Sequence, residues 1–263
     1  MLKKKLQILT LVIKNLIRKK RKVDGESEGL SFLAHLEELR SRLVKCAAAV
    51  AITIIPCFIY WRKIFDVVLV YPLRLTNPKP HLIFTAPAEA VMLSVQIALA
   101  GGLVISSPII FYQVWRFVSP GLYKHEKNVV VPVVIATTFS FFCGLAFSYL
   151  SIPLLIRVLA TFGAGVLEPY FKANEYIGFV IKLSLACGLI FELPVLSYVL
   201  TKMGLLTPRF LVSKVRHAVV VSFVIAAIIT PPDIFSQAVM AIPLLVLYGV
   251  SILVSYLTVE KKR

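Results

Sequence analysis

The chain is predicted to be an all-α polytopic membrane protein with six transmembrane helices and both termini cytoplasmic. Three observations predict it. Fifty-nine per cent of the 263 residues are hydrophobic and only 16 per cent are charged, more apolar surface than one water-facing domain can hide. Those residues gather into six runs divided by polar stretches that carry Pro, Gly and charge. With six crossings, 22 of the 29 Lys and Arg residues fall on the N-terminal side, in 1–45, 116–128, 201–217 and 257–263. The opposite loops, 62–89 and 151–175, hold six, and Lys182 lies within a run. This bias places both ends in the cytoplasm. It also accounts for the net charge of +16, so no nucleic-acid partner is implied.

Taken in order, residues 1–30 form a basic extension. Leu6, Leu9, Ile13, Leu16 and Ile17 alternate with Lys3, Lys4, Lys5 and Lys14, a pattern suited to an anionic leaflet or to a disordered tail. Lys14 interrupts the apolar stretch and no small-residue cleavage site follows, which argues against a cleaved signal. In 31–45, Phe32, Leu33, Leu36, Leu39 and Leu43 keep helical spacing, with Ser31 as N-cap and Glu38 four residues before Arg42. The membrane domain is expected over 31–257, and 258–263 is a basic tail. Its runs are 43–61, 91–114, 129–156, 176–200, 218–229 and 234–256. Tyr60 and Trp61 anchor the far end of the first run, and the stretch 62–89, with Pro72, Pro78, Pro80 and Pro87, folds as a loop or cap outside. The fifth run has only twelve residues, about 18 Å of helix against a hydrocarbon thickness of about 30 Å. Thr230-Pro231-Pro232-Asp233 turns the chain from it into the sixth.

Two places carry candidate chemistry. The hairpin 112–127 joins the second and third runs through Pro120-Gly121 and sets Glu126 among Arg116, Lys124, His125 and Lys127, beside Trp115 and Phe117. Its carboxylate either meets a cationic partner or balances its neighbours as an ordinary solvated acid. Glu192 lies inside the fourth run beside Pro194. A carboxylate there costs a few kcal/mol to insert, so a role is the default, against a protonated acid bonded to a carbonyl freed by Pro194. Lys182 is ten positions away, about 15 Å along one helix, and is read as snorkelling. Cys46, Cys57, Cys143 and Cys187 all fall in apolar runs with no C-x-x-C pair, so they read as small apolar side chains. No phosphate-binding, zinc-protease or nucleophile-elbow motif is present, and no enzyme, cofactor or metal is expected.

Four stretches in order carry a resemblance to a known family: His35-Leu36-Glu37-Glu38-Leu39-Arg40, 112–126, Phe191-Glu192-Leu193-Pro194, and Thr230-Pro231-Pro232-Asp233-Ile234-Phe235-Ser236-Gln237. Over 31–257 the chain resembles TatC, the multi-spanning receptor of the twin-arginine protein translocase. The resemblance implies six membrane helices, the last two short. It implies binding of twin-arginine signal peptides of folded cargo, at positions matching Glu38 and Glu126 with Arg40 and Phe117 close by. Two guanidinium groups call for two carboxylates, each able to form a bidentate pair. The resemblance also implies that Glu192 faces a polar site used by small single-span TatA- and TatB-type subunits, and that Pro72 and Asp233 are structural. Transport would be driven by the proton motive force. The setting would be the bacterial inner membrane, a thylakoid or other organellar membrane being the alternative, with membrane lipid and further copies of the chain as partners. Nothing in it extends to residues 1–30.

Two other functions fit the composition. A proton-coupled small-molecule carrier would use Glu192 as its proton site, but such carriers are built from repeats with paired broken helices, and no repeat is visible. A scaffold would need neither carboxylate.

Overall fold

The computed structural model describes residues 35–76, 81–118, 130–162, 170–230 and 233–260. The described residues form ten α-helices, a π-helical turn and two short strands. The first helix, α1 (His35–Ile59), runs without a break from the amphipathic stretch into the first apolar run. The chain divides into two units, one ending at Lys45 and the other, which holds the helix bundle, beginning at Cys46.

Five helical segments are long and apolar enough to cross a membrane: α1, α4 (Glu89–Val118), α5 (Val130–Phe162), the segment Ala173–Lys202, and α10 (Ile234–Glu260). A shorter apolar helix, α9 (Val215–Ile229), is preceded by the six-residue α8 (Pro208–Ser213). These match the six expected runs, mostly with helix continuing a turn or more past the apolar residues. Large apolar side chains point outward along them, as at Phe139, Leu150 and Ile228, which are 71, 76 and 70 per cent exposed. Hydrocarbon is the solvent that tolerates such faces. At fifteen residues α9 is about 22 Å long, still short of the bilayer. The implied shortness of the sixth helix needs correction. An uninterrupted apolar sequence, with Pro243 absorbed in its interior, carries α10 through 27 residues, about 40 Å.

Small residues let the helices approach closely. A Cβ on Gly102 of α4 would lie 2.6 Å from Ile54 of α1, and the adjacent backbone carbonyl accepts the Thr53 hydroxyl at 2.8 Å. Gly144 of α5 would drive a Cβ to 2.6 Å from the Cys187 carbonyl and 2.8 Å from Gly188 Cα in α6 (Ala173–Ile190). Between α7 (Leu193–Lys202) and α10, the Ser197 hydroxyl donates to the Ser251 carbonyl at 2.9 Å and Thr201 bonds Ser255 at 2.8 Å. Close approach and interhelical hydroxyl bonds are how helices adhere where water supplies no hydrophobic drive. Cys57 and Cys187 are buried and all four cysteines are free thiols, as expected of small apolar fillers.

A cap covers the ends of α1, α4 and α6. After Tyr60, the chain makes α2 (Trp61–Ile64), a π-helical turn (Phe65–Val70) and α3 (Tyr71–Arg74). Strand β1 (His81–Ile83) then pairs in parallel with β2 (Tyr170–Lys172), His81 opposite Tyr170. This pairing puts the stretches after α1 and after α5 on the same end of the bundle, as the alternating crossings require. Glu89 clasps the cap: its carboxylate accepts from the Thr85 and Asn174 amides at 2.7 and 3.0 Å. The Tyr176 hydroxyl reaches the Leu69 carbonyl at 2.8 Å.

The Gly144 contact generates a test. Gly144→Leu should separate α5 from α6 and lower thermal stability in detergent by about 1–3 kcal/mol, the range for overpacking. Gly249→Ala, with nothing within 4 Å of the added Cβ, should leave the melting temperature unchanged or raise it slightly. Equal melting of the two variants would contradict the close-approach account.

Candidate functional site

The fourth apolar run is two helices. Pro194 is the second residue of α7 and has no N–H to give to the carbonyl four residues back, so the helix ends at Ile190 and restarts after Phe191 and Glu192. The Leu196 amide takes up the Glu192 carbonyl at 2.8 Å, while the Glu192 side chain makes no capping bond. That carboxylate turns instead toward α5.

Helix α5 meets the break with two hydroxyls one turn apart. Ser140 donates to the Phe191 carbonyl, and Thr137 hydrogen-bonds the Glu192 carboxylate. Thr137 is 2 per cent exposed, and its oxygen accepts the indole N–H of Trp115 at 2.8 Å. The result is a linked network: Trp115 near the end of α4 donates to Thr137, and Thr137 hydrogen-bonds Glu192. Thr137 is seven residues into α5, so the network lies about 10 Å along the helix from its start. The other carboxylate oxygen, Glu192 Oε1, is buried and has no hydrogen-bond partner among the described residues. A carboxyl held on one side and unpartnered on the other, at membrane depth, can accept a donor from another helix or retain a proton. Lys182 is exposed and makes no ion pair with it among the described residues.

The other expected residues fall elsewhere. Glu38 lies on the first three turns of α1, where Arg42 donates to its Oε1 through Nε at 3.0 Å and through a terminal nitrogen, and His35 stands 3.9 Å from Oε2. The spaced pair read from sequence is thus formed. Arg40, on the same turns, is exposed. Phe117 is half-buried in the last turn of α4, beside Arg116, which donates to the Tyr112 hydroxyl at 3.0 Å. Glu126 lies outside the described residues. Pro72 is buried in α3. Asp233 caps α10, its Oδ1 accepting the Ser236 amide at 2.7 Å. No group of three or more potential metal ligands occurs among the described residues.

Sequence reasoning missed Thr137, Ser140 and Glu89. A hydroxyl in an apolar run is common, and the only available signal was the spacing of three that puts Thr137 and Ser140 on one face. Glu89 opens its helix, where an acid is ordinarily read as a dipole partner.

Comparison with known proteins agrees with this architecture. The family described as "Sec-independent protein translocase protein (TatC)" matches residues 34–243. A protein of that name from Helicobacter pylori is 45 per cent identical over 222 residues, covering 84 per cent of this chain and 87 per cent of its own. One from Aquifex aeolicus is 40 per cent identical over 232 residues, covering 87 and 96 per cent. A crystal structure titled as the twin arginine translocase receptor TatC superposes with a TM-score of 0.75 at 38 per cent identity, over 86 per cent of this chain and 99 per cent of that one. A second, in the detergent DDM, gives 0.77 at 40 per cent identity, over 83 and 98 per cent. With its bundle, its broken fourth span and its short fifth helix, the chain belongs to the TatC family of Sec-independent protein translocase proteins.

Proposed function

We propose that the chain is the signal-peptide receptor of a twin-arginine translocase, acting without enzymatic chemistry in a bacterial cytoplasmic membrane with both termini inside. The observation that carries this reading is the Glu38 carboxylate, already engaged by a guanidinium through two donors of Arg42. An arginine of an incoming peptide exchanges with Arg42 or shares the carboxylate, since an ionised carboxylate has about four acceptor sites. Glu126 takes the second arginine, with Arg40 and Phe117 contributing charge balance and an apolar surface nearby. A lysine pair cannot reproduce the fork.

The intramembrane network serves a second step. The unpartnered Oε1 of Glu192 receives a polar group from a single-span TatA- or TatB-type partner, and the short α9 thins the bilayer nearby so that partner helices with short apolar runs gather there. Transport then draws on the proton motive force. A carrier mechanism gains nothing from the structure: no second broken helix pairs with the break at Glu192 among the described residues.

Two experiments test these roles. Glu38→Gln and Glu126→Gln should each reduce crosslinking of a twin-arginine signal peptide about tenfold, as expected for losing a charge-assisted hydrogen bond. A Lys-Lys peptide should crosslink as poorly to the unmodified chain as the twin-arginine peptide does to the variants. Unchanged yield in both variants would sink the assignment. Inserting four leucines after Val221 lengthens α9 by about 6 Å. It should abolish transport of a folded reporter while leaving signal-peptide crosslinking intact, and normal transport would show the thinning argument to be wrong.

A further inference from the structure

Beneath the cap lies a cavity of about 610 Å³ whose chemistry the receptor reading does not use. That volume is typical of a site for one small molecule, about 300–1,000 Å³. Trp61 and Arg62 bound it where α1 ends, Arg74 comes from α3, His81 from β1, and Leu93 and Ala173 from the first turns of α4 and α6. It therefore sits where three spans emerge, at the depth of the aromatic anchors Tyr60 and Trp61, which is the headgroup level of the leaflet opposite the N-terminus.

The charge is uneven. Arg62 and Arg74 line the cavity against a single acid, Asp66, and neither guanidinium has an ion-pair partner among the described residues. Arg62 stacks over the Trp61 ring at 5.7 Å, which holds its cation at the interface. The remaining walls are apolar, among them Phe65, Leu73, Leu82 and Phe84, the last 73 per cent exposed. A soluble anion would use the two cations and leave those walls wet. An amphiphile uses both.

We propose that this cavity binds one phospholipid of net negative charge, its phosphate between Arg62 and Arg74 and an acyl chain along the apolar wall toward the bilayer. Guanidinium forks match phosphate oxygens, and apolar walls match the chain. A zwitterionic headgroup would bring a third cation to a site that already holds two. The inference stands whether or not the receptor reading does, because no residue in it belongs to the signal-binding or intramembrane site.

Native mass spectrometry of the full-length chain, released from detergent with equal amounts of phosphatidylglycerol and phosphatidylcholine, tests it. One phosphatidylglycerol should be retained with about tenfold preference, and the double variant Arg62→Gln/Arg74→Gln should bring that preference close to parity. Ala90→Trp, which fills the cavity mouth and leaves both charges in place, should remove the retained lipid; Ala90 is an exposed lining residue, so the fold should survive. Excess inorganic phosphate should not displace it. Equal retention of the two lipids by the unmodified chain would overturn the proposal, as would unaltered retention in both variants. Displacement by phosphate alone would assign the site to a soluble anion and overturn the lipid reading too.

Discussion

A carboxyl group at membrane depth must be held, and much of this molecule is arranged around that constraint. On insertion scales a central acid costs about 2.5–3.5 kcal/mol, and an unpaired one also forfeits its hydrogen bonds. Here the cost is met from three helices. Pro194 breaks the fourth span so that Glu192 leaves the helical repeat. Thr137 hydrogen-bonds its carboxylate, Ser140 satisfies the carbonyl exposed by the break, and Trp115 orients Thr137 from α4. Removing any one leaves another polar group unsatisfied in hydrocarbon, so the three helices share one register. The close contact of Gly144 with Cys187 and Gly188 keeps α5 near enough to the break for its hydroxyls to reach.

The same network reaches from the end of α4 to the break in the fourth span. Trp115 lies three residues from the end of α4, next to Phe117 and the hairpin proposed to read the signal. Glu192, two hydrogen bonds further along, keeps its Oε1 without a partner among the described residues. At the opposite end of the bundle, the Glu89 clasp and the β1–β2 pair fix α1, α4 and α6 together.

Six apolar runs and their order were legible because a bilayer imposes length and composition on each span separately. Ends were less so: α9 begins at Val215, since Arg216 and His217 are helical residues that the charge pattern assigns to a loop. The break at Phe191–Glu192 was half-legible. Pro194 announces a freed carbonyl, but the run of 176–200 still reads as one span, because hydropathy does not register a two-residue turn. Glu192 stands out for its cost, whereas Thr137 does not, because its role depends on a contact 55 residues away. Strands β1 and β2, three residues each and paired across 89 positions, carry no periodicity that a sequence reading could detect. Only α10 contradicts the expectation drawn from resemblance, as its apolar run continues well past the length of a short span.

The Trp115–Thr137–Glu192 chain is held to prepare an intramembrane docking point distinct from signal recognition, and two substitutions probe it directly. Thr137→Val keeps the volume and removes the hydroxyl; Glu192→Gln keeps the shape and removes the ionisable group. In the same membranes, transport of a folded twin-arginine reporter, recovery of single-span partners with the chain, and signal-peptide crosslinking should be measured side by side. Both variants are expected to lose transport and partner recovery together, with signal crosslinking at the level of the unmodified chain. Normal transport in both variants, or loss of signal crosslinking in step with transport, would contradict it.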